Sequence, residues 1–108
     1  MKKQRRRYLL FHIHLDGPSF GGKQLTNDLR KNLHSLYGEV AVADSRLYIN
    51  EYDEKSCTGI LHCTSEMLEM VAISAVLLSQ VGETRISFEP RKTSGTIRGL
   101  KQQLVKED

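Results

Sequence analysis

A strict alternation of apolar and polar side chains marks the start of the chain. Between Arg7 and Leu15 every second residue is large and apolar: Leu9, Phe11, Ile13 and Leu15. Because successive side chains of a β-strand point to opposite faces, this pattern predicts a strand with one buried face. Turn-forming residues at positions 16–19 then end the strand. The next apolar positions recur at helical spacing and predict a helix that stops at Gly38, with a stripe formed by Leu25, Leu29, Leu33 and Leu36.

The rest of the chain predicts three more strands and two more helices. The strands are predicted over residues 40–52, 57–63 and 84–90; the first is irregular near Asp44 and Ser45, and a hairpin turn at 53–56 joins it to the second. One helix is capped by Thr64 or Ser65 and runs to about Gln80. A short last helix is opened by Ser94 and runs from Thr96 to about Val105. This order is the split βαβ arrangement. The predicted fold is therefore α+β and ferredoxin-like (RRM-like), with a βαββαβ order, a four-stranded antiparallel sheet and an extra C-terminal helix.

Composition limits the domain count and the cellular setting. With 108 residues, of which 39% are hydrophobic and 27% charged, the chain suits a single compact domain over residues 1–108, with residues 1–6 as a flexible basic tail. No apolar run approaches the roughly 20 residues that span a bilayer, so no membrane partner is expected. No secretory signal is recognisable, and the two cysteines are expected to stay reduced in the cytoplasm.

Charge is divided into three blocks along the sequence. Residues 1–7 carry five bases and no acid, residues 8–84 carry five bases and ten acids, and residues 85–108 carry six bases and three acids. In the predicted topology the first and last strands are antiparallel neighbours, so the start of one lies beside the end of the other. The two basic segments are therefore expected to merge into one surface that binds a polyanion, although a basic end can also act as a solvated tail.

The segment RKTSGTIRGLK, residues 91–101, is the most specific motif. Small residues open a helix directly after a basic strand end, where free backbone N–H groups and the helix dipole favour phosphate. Arg98 and Lys101 are three residues apart and share one side of that helix. The alternative is that Ser94 only caps the helix and the bases are solvated.

Three segments of the chain resemble one family. SGTIRGLK, the first-strand sequence RRRYLLFHI, and DEKSCTGILHC followed by an apolar helix resemble the ribonuclease P protein component 2 family of archaea and eukaryotes. The resemblance covers nearly the whole chain in order, and the short hairpin is more similar to the archaeal form. It implies a non-catalytic subunit of the ribonucleoprotein endonuclease that removes 5′ leaders from precursor tRNA. The RNA with bound magnesium would cleave, this chain would bind no cofactor, and component 3 would be its protein partner.

The resemblance implies RNA contacts at the matching positions Arg6, Arg7, Ser94, Thr96, Arg98 and Lys101. Together with the bases that the topology places beside them, the predicted RNA-binding residues are Arg5, Arg6, Arg7, Arg91, Lys92, Ser94, Thr96, Arg98 and Lys101. The chain departs from the family pattern at position 62. A base such as arginine is expected there, whereas His62 is at most partly charged near neutral pH.

The helix after the third strand is apolar on two sides. Its sheet-facing stripe is predicted to contain Leu68, Val71, Ala72, Ala75 and Ser79, while Met70, Ile73 and Leu77 fall on the opposite side. An apolar outer side predicts a protein partner, either a different chain or a second copy of this one. The alternative is that the C-terminal helix folds over it.

Other functions find less support in the sequence. No nucleotide-binding glycine loop or HExxH motif is present. An acylphosphatase-like enzyme would need an arginine in the loop at residues 16–22, which has none. An RNA-recognition motif would carry stacking aromatics on the third strand, and residues 57–63 have none. We therefore expect contact with the RNA backbone rather than with bases. A ferredoxin-like regulatory or dimerisation module without RNA, or a small acylphosphatase-like enzyme, stays open as the alternative.

Three histidines are candidates for a metal site. His12 and His14 share one face of the first strand, and His62 lies on the strand expected beside it. Three imidazoles can hold zinc, but no nearby carboxylate or CxxC pair supports such a site. We therefore predict no metal ligand in this chain.

Overall fold

The computed structural model describes residues 5–101, which form one antiparallel sheet with helices on both of its faces. The strands are β1 (Arg6–Asp16), β2 (Tyr48–Asp53), β3 (Thr58–Thr64), β4 (Gln80–Val81) and β5 (Thr84–Ser94), and the helices are α1 (Gly22–Tyr37), α2 (Glu39–Ser45), α3 (Leu68–Leu77, after a 3-10 turn at Ser65–Met67) and α4 (97–101). The strand order is β2-β3-β1-β5-β4. Most of the predicted basic tail and the end of the predicted last helix lie outside the described residues.

The main core lies between α1, α3 and one face of the sheet. β1 is the central strand, and its alternating residues Leu9, Phe11 and Ile13 are buried there, as the alternation predicts. The leucine stripe of α1 and the inner side of α3 cover them with Leu25, Leu29, Leu33, Val71 and Ala75. Gly38 ends α1 with φ 93°, and its backbone N–H donates to the carbonyl of His34 at 2.8 Å. No helix within residues 5–101 has the length and hydropathy to cross a membrane.

The pairing of β1 with β5 sets the positions of the two basic segments. The strands run antiparallel from Tyr8 opposite Ser94 to Asp16 opposite Arg85, with a bulge between Leu10 and Phe11. The start of β1 therefore lies beside the end of β5, as expected. Of the predicted tail, Arg6 belongs to β1, and the carbonyl of Arg5 accepts a hydrogen bond from the backbone N–H of Ser65 at 2.7 Å. These two residues are held in the fold and are not part of a tail.

The strand predicted over residues 40–52 is wrong in its first half. Residues 39–45 form α2, and β2 begins only at Tyr48. Val42 and Ser45 turn inward three residues apart, which is the period of a helix, and Ser45 donates its hydroxyl to the carbonyl of Val42 at 2.7 Å. Arg46 ends the helix in the left-handed conformation, with φ 49°.

The predicted count of four strands is also corrected, because the sheet has a fifth. α3 ends at Leu77 rather than near Gln80, and Gln80–Val81 form β4. Val81 pairs with Thr84 across a two-residue turn in which Gly82 has φ 59°, a conformation that glycine adopts without strain. β5 runs to Ser94, four residues beyond the predicted end, because it keeps pairing with β1 after the bulge.

α4 packs on the face of the sheet opposite α1 and α3, here called the open face. Leu100 is 1% exposed and contacts Leu10 of β1 and Ile60 of β3, with Tyr8 and Ile97 beside them. The described part of the C-terminal helix therefore does not cover α3, which was the alternative considered for that helix.

Candidate nucleic-acid interface

The structure brings the two basic segments of the sequence to one end of the sheet, here called the basic end. It contains Arg5, Arg6, Arg7, Ser94, Thr96 and Arg98. The other predicted residues, Arg91, Lys92 and Lys101, lie further along the sheet, near the level of Leu10 and Ile60. Arg6 and Arg7 pair with the end of β3, and Tyr8 pairs with Ser94 at the end of β5. A guanidinium nitrogen of Arg7 lies 3.9 Å from the point where a Cβ of Gly95 would be. The predicted juxtaposition of chain start and chain end is therefore present in the fold.

The predicted RNA-binding bases differ in whether they form an ion pair with a carboxylate. Arg91 pairs with Glu89 at 2.7 Å, and Lys101 pairs with Glu51 at 3.1 Å. These groups are exposed, so each pair contributes little to stability. Arg5, Arg6, Arg7 and Arg98 form no ion pair with another residue in the range 5–101. Among the described residues, these four guanidinium groups therefore have no carboxylate partner and are open to an external anion.

The hydroxyl groups of this region cap α4. The Thr96 hydroxyl oxygen accepts the backbone N–H of Gly99 at 3.1 Å, and the Ser94 hydroxyl oxygen accepts the N–H of Thr96 at 3.2 Å. Thr96 is therefore the capping residue of the helix rather than Ser94, which ends β5. Each hydroxyl still has its own hydrogen to donate to a ligand.

A cleft beside the start of β1 contains an arginine that the sequence reading missed. Arg5, Arg6 and Arg46 line it together with His62, Cys63 and Thr64, and we call it the arginine cleft. Arg46 comes from the acidic middle of the sequence and follows α2. Burial raises the pKa of the Cys63 thiol to about 11, so this wall of the cleft is uncharged. The cleft is cationic through its arginines.

Three rings lie side by side on the open face next to this cleft. Tyr8, His62 and Tyr48 occupy matching positions on β1, β3 and β2, and we call them the aromatic row. The ring centres of Tyr8 and His62 are 5.7 Å apart, and those of Tyr48 and His62 are 5.6 Å apart. His62 Nδ1 donates to Asn50 Oδ1 at 2.6 Å. Burial, and secondly the charge of Arg6, lower the pKa of His62, so the ring is neutral at pH 7.

The other two histidines form a separate pair further along β1. The rings of His12 and His14 are 4.6 Å apart, His12 contacts Thr58 at 3.2 Å, and His14 contacts Glu89 at 3.2 Å. His62 belongs to the aromatic row and does not join them. Within residues 5–101 no group of three or more potential ligands is arranged to hold a metal ion. Cys57 and Cys63 are free thiols.

The outer side of α3 exposes a cluster of apolar side chains on the far side of the molecule from α4. Met70 is 39% exposed, Ile73 42% and Leu77 59%, and Val76, which the sequence reading omitted, is 51% exposed. Val71, Ser74 and Ala75 face the sheet instead. Ser79 was predicted in the buried stripe but is exposed, because α3 ends before it. We call Met70, Ile73, Val76 and Leu77 the α3 outer face.

The fold and the basic end define the class of protein as a small ferredoxin-like α+β domain with a cationic surface at one end of its sheet. Residues 7–105 match the model of the Rpp14/Pop5 family. The chain belongs to that family, which confirms the resemblance seen in the sequence.

Known proteins similar to this chain carry related names. Ribonuclease P protein component 2 of Pyrococcus horikoshii is 26% identical over 95% of this chain and 85% of its own length. The protein of the same name from Aeropyrum pernix is 29% identical over 91% of this chain and 80% of its own length. Ribonuclease P/MRP protein subunit POP5 of Saccharomyces cerevisiae is 28% identical, and the match spans 56% of it.

A solved structure supports the fold independently of sequence. A chain in the cryo-EM structure of yeast ribonuclease MRP superimposes with a TM-score of 0.69, covering 99% of this chain and 94% of that chain. The two share 10% sequence identity, so the likeness concerns the fold alone.

Proposed function

We propose that this protein is a subunit of ribonuclease P and that its basic end binds the RNA of that ribonucleoprotein. Membership of the Rpp14/Pop5 family supports the first statement. The observation that carries the second is the meeting of both basic segments at one end of the sheet, with four arginines that have no ion-pair partner within residues 5–101. Most of the acidic residues lie in the middle of the sequence, outside the two basic segments.

The role proposed for the basic end is electrostatic. Folded RNA holds phosphates close together, and their repulsion opposes the compact form. Arginine side chains neutralise phosphates and release condensed counterions, which drives binding at low salt. They can also hold a phosphate through two parallel N–H donors. The protein would thereby stabilise the active fold of the RNA, without sequence-specific contacts at these positions.

We further propose that cleavage of the 5′ leader of precursor tRNA is performed by the RNA and its magnesium rather than by this chain. Within residues 5–101 no three carboxylate, histidine or cysteine side chains are grouped as metal ligands. The support for the proposal is the similarity to ribonuclease P protein component 2. This chain would then contribute binding. In a reconstituted complex, we expect removal of this protein to weaken the affinity for the substrate. The dependence of cleavage on magnesium concentration should stay the same.

The α3 outer face is the proposed contact with a second protein. Four apolar side chains are exposed next to one another on this helix, and contiguous exposed apolar surface commonly marks a protein–protein contact. Within the ribonucleoprotein, the partner proposed for this surface is component 3. Self-association through the same surface is the alternative, and analytical ultracentrifugation of the isolated protein at several concentrations separates the two.

Binding to a structured RNA at two salt concentrations tests the RNA-binding role. Replacing both Arg7 and Arg98 by alanine should weaken binding and reduce the slope of log affinity against log salt by about two, if each contacts one phosphate. The control is the double change Lys55→Ala and Arg85→Ala, which removes the same charge at exposed positions. Lys55 lies in the turn before β3, and Arg85 stands opposite Asp16 in the register of β5 with β1, at the other end of the sheet. Equal losses in both variants would show that only net charge matters and would contradict a defined surface.

Purification of the tagged protein from its native cell tests membership of the complex. We expect the RNA that accompanies it to be the ribonuclease P RNA, and the purified particle to remove the leader of precursor tRNA. Recovery of the protein without RNA would favour the regulatory or dimerisation module.

A further inference from the structure

The aromatic row and the arginine cleft are adjacent, because His62 belongs to both. One offers ring surfaces and the other offers positive charge. A nucleotide presents the complementary pair, a flat base and a phosphate. The two surfaces also share a boundary with the basic end, since Arg5 and Arg6 lie in the cleft.

Tyr48 is the accessible ring of the row. It is 55% exposed on β2, which is an edge strand, and it packs against the tilted ring of His62. Stacking of a base on an aromatic side chain tolerates any base, because every base has a π-face. Since His62 is neutral at pH 7, the row can take a base without the cost of burying a charge.

The hydrogen bond from His62 to Asn50 determines which polar groups lie beside the rings. With its proton donated from Nδ1 to Asn50, the neutral His62 ring has Nε2 as an acceptor. The amide nitrogen of Asn50, which is exposed, remains a donor. A donor and an acceptor thus stand near the place where the edge of a stacked base would lie.

Arg46 supplies the charge in a conformation that costs energy. It is one of two residues other than glycine with positive φ within residues 5–101, and glycine would occupy the position with less strain. Arg46 lines the cleft together with Arg5 and Arg6. A cleft lined by three arginines favours an anion such as phosphate.

We propose that the aromatic row and the arginine cleft together form a subsite for one unpaired ribonucleotide. The base stacks on Tyr48 and His62, and its phosphate lies among Arg5, Arg6 and Arg46. This inference rests on the proposed RNA-binding function and adds a contact to a base, which the sequence argued against. The sequence of a single strand does not show this row, because its three rings come from three different strands.

Binding of a single-stranded oligouridylate of roughly ten nucleotides, a length within the usual site sizes, tests the subsite. The comparison probe is the same strand annealed to oligoadenylate. Tyr48→Ala should weaken single-strand binding about tenfold and duplex binding by less than about twofold, since a paired base cannot stack on the protein. Tyr48→Phe should bind like the wild type, and Tyr48→Leu should bind like the alanine variant.

Two matched controls separate the subsite from general effects. Tyr37→Ala removes an exposed ring at the end of α1 and should leave both probes unaffected. Arg46→Gln should reduce the salt slope for the single strand by about one, whereas Arg85→Gln should not. Circular dichroism spectra confirm that each variant is folded, and Tyr48→Leu keeps an apolar side chain on the strand if the alanine variant unfolds.

The outcomes distinguish this subsite from the broader function. If Tyr48→Ala, Tyr48→Leu and Tyr37→Ala all bind the single strand like the wild type, while the wild type still binds structured RNA with a steep salt dependence, the subsite is wrong and the RNA-binding role stands. Equal losses for Tyr48→Phe and Tyr48→Ala would show that the hydroxyl acts instead of the ring, and would also overturn it. If the wild type binds no RNA, both the RNA-binding function and the subsite are wrong.

Discussion

At the residue scale, Gly59 shows how one position without a side chain makes the core possible. It lies in β3 opposite Phe11, and a Cβ there would be 2.6 Å from the Phe11 ring and 2.8 Å from the carbonyl oxygen of Glu51. Phe11 stacks between Tyr52 and Phe88, at ring distances of 6.2 and 4.7 Å. The ring occupies the space that any other residue at position 59 would need.

Gly59→Ala should therefore destabilise the protein. Neither the packed ring nor the backbone carbonyl can move away cheaply, so we expect the free energy of unfolding to fall by about 1–3 kcal/mol. Urea unfolding measures the change. The comparison is Gly22→Ala at the first turn of α1, where a Cβ has only one neighbour, at 3.4 Å. That variant should be neutral or stabilised, because alanine favours the helix; equal destabilisation of both would contradict the steric account.

The residues of the basic end were largely predictable, and those of the arginine cleft only in part. The bases at the two ends follow from the charge blocks and the strand order. The position of Arg46 does not follow from the sequence, because residues 40–52 were predicted as one strand and nothing in that pattern distinguishes residue 46. Its location depends on the end of α2, which the sequence pattern does not mark with glycine.

At the element scale, Leu100 is the most buried side chain in the described part of α4. Leu100 is buried against Leu10 and Ile60, and these three residues form a small core of their own on the open face. The remaining described residues of α4 are partly or fully exposed. Of residues 97–101, Leu100 is therefore the side chain packed most deeply against the sheet.

Leu100→Ala should release α4 from the open face. We expect the free energy of unfolding to fall by about 2–3 kcal/mol, near the low end for a buried leucine, because a terminal helix can move to reduce the cavity. Amide hydrogen exchange should show lost protection at residues 97–101, while β1 keeps its protection. RNA binding should weaken as well, since Arg98 and Lys101 lose their fixed position. Arg98→Ala, which removes charge but no packing, should weaken RNA binding with unfolding unchanged.

The element order was predictable because apolar periodicity is strong in β1 and α1. α2 was missed since its valines favour strands locally, and only the packing of Val42 and Ser45 selects a helix. β4 was missed because two residues are too few to show a period. Its hairpin is determined by Gly82 and by pairing with β5 rather than by its own composition.

At the scale of the whole molecule, the two proposed surfaces lie on opposite sides. The basic end and the aromatic row belong to the open face and its rim, while the α3 outer face points away from the other side of the sheet. We therefore expect the proposed protein partner and the proposed RNA to bind at the same time without competing for space.

Ile73→Lys should separate the two functions. The side chain is 42% exposed, so the substitution should change stability by less than about 0.5 kcal/mol, as for most surface positions. Association with the protein partner, measured by pull-down with component 3, should be lost, while binding to structured RNA stays unchanged. The reciprocal control is the Arg7 and Arg98 double variant, which should keep the protein partner. Loss of RNA binding in Ile73→Lys would contradict two independent surfaces.

The course of α4 has a consequence for the direction from which RNA can approach. The helix starts after β5, crosses β1 and β3 through Leu100, and reaches β2 where Lys101 pairs with Glu51. The described part of the helix therefore covers the open face at the level of Leu10 and Ile60. If RNA binds this face as proposed, we expect it to pass transversely, along the margin between α4 and the start of β1, rather than lengthwise along the β-strands. On that path it would meet Ser94, Tyr8, His62 and Tyr48 in that order.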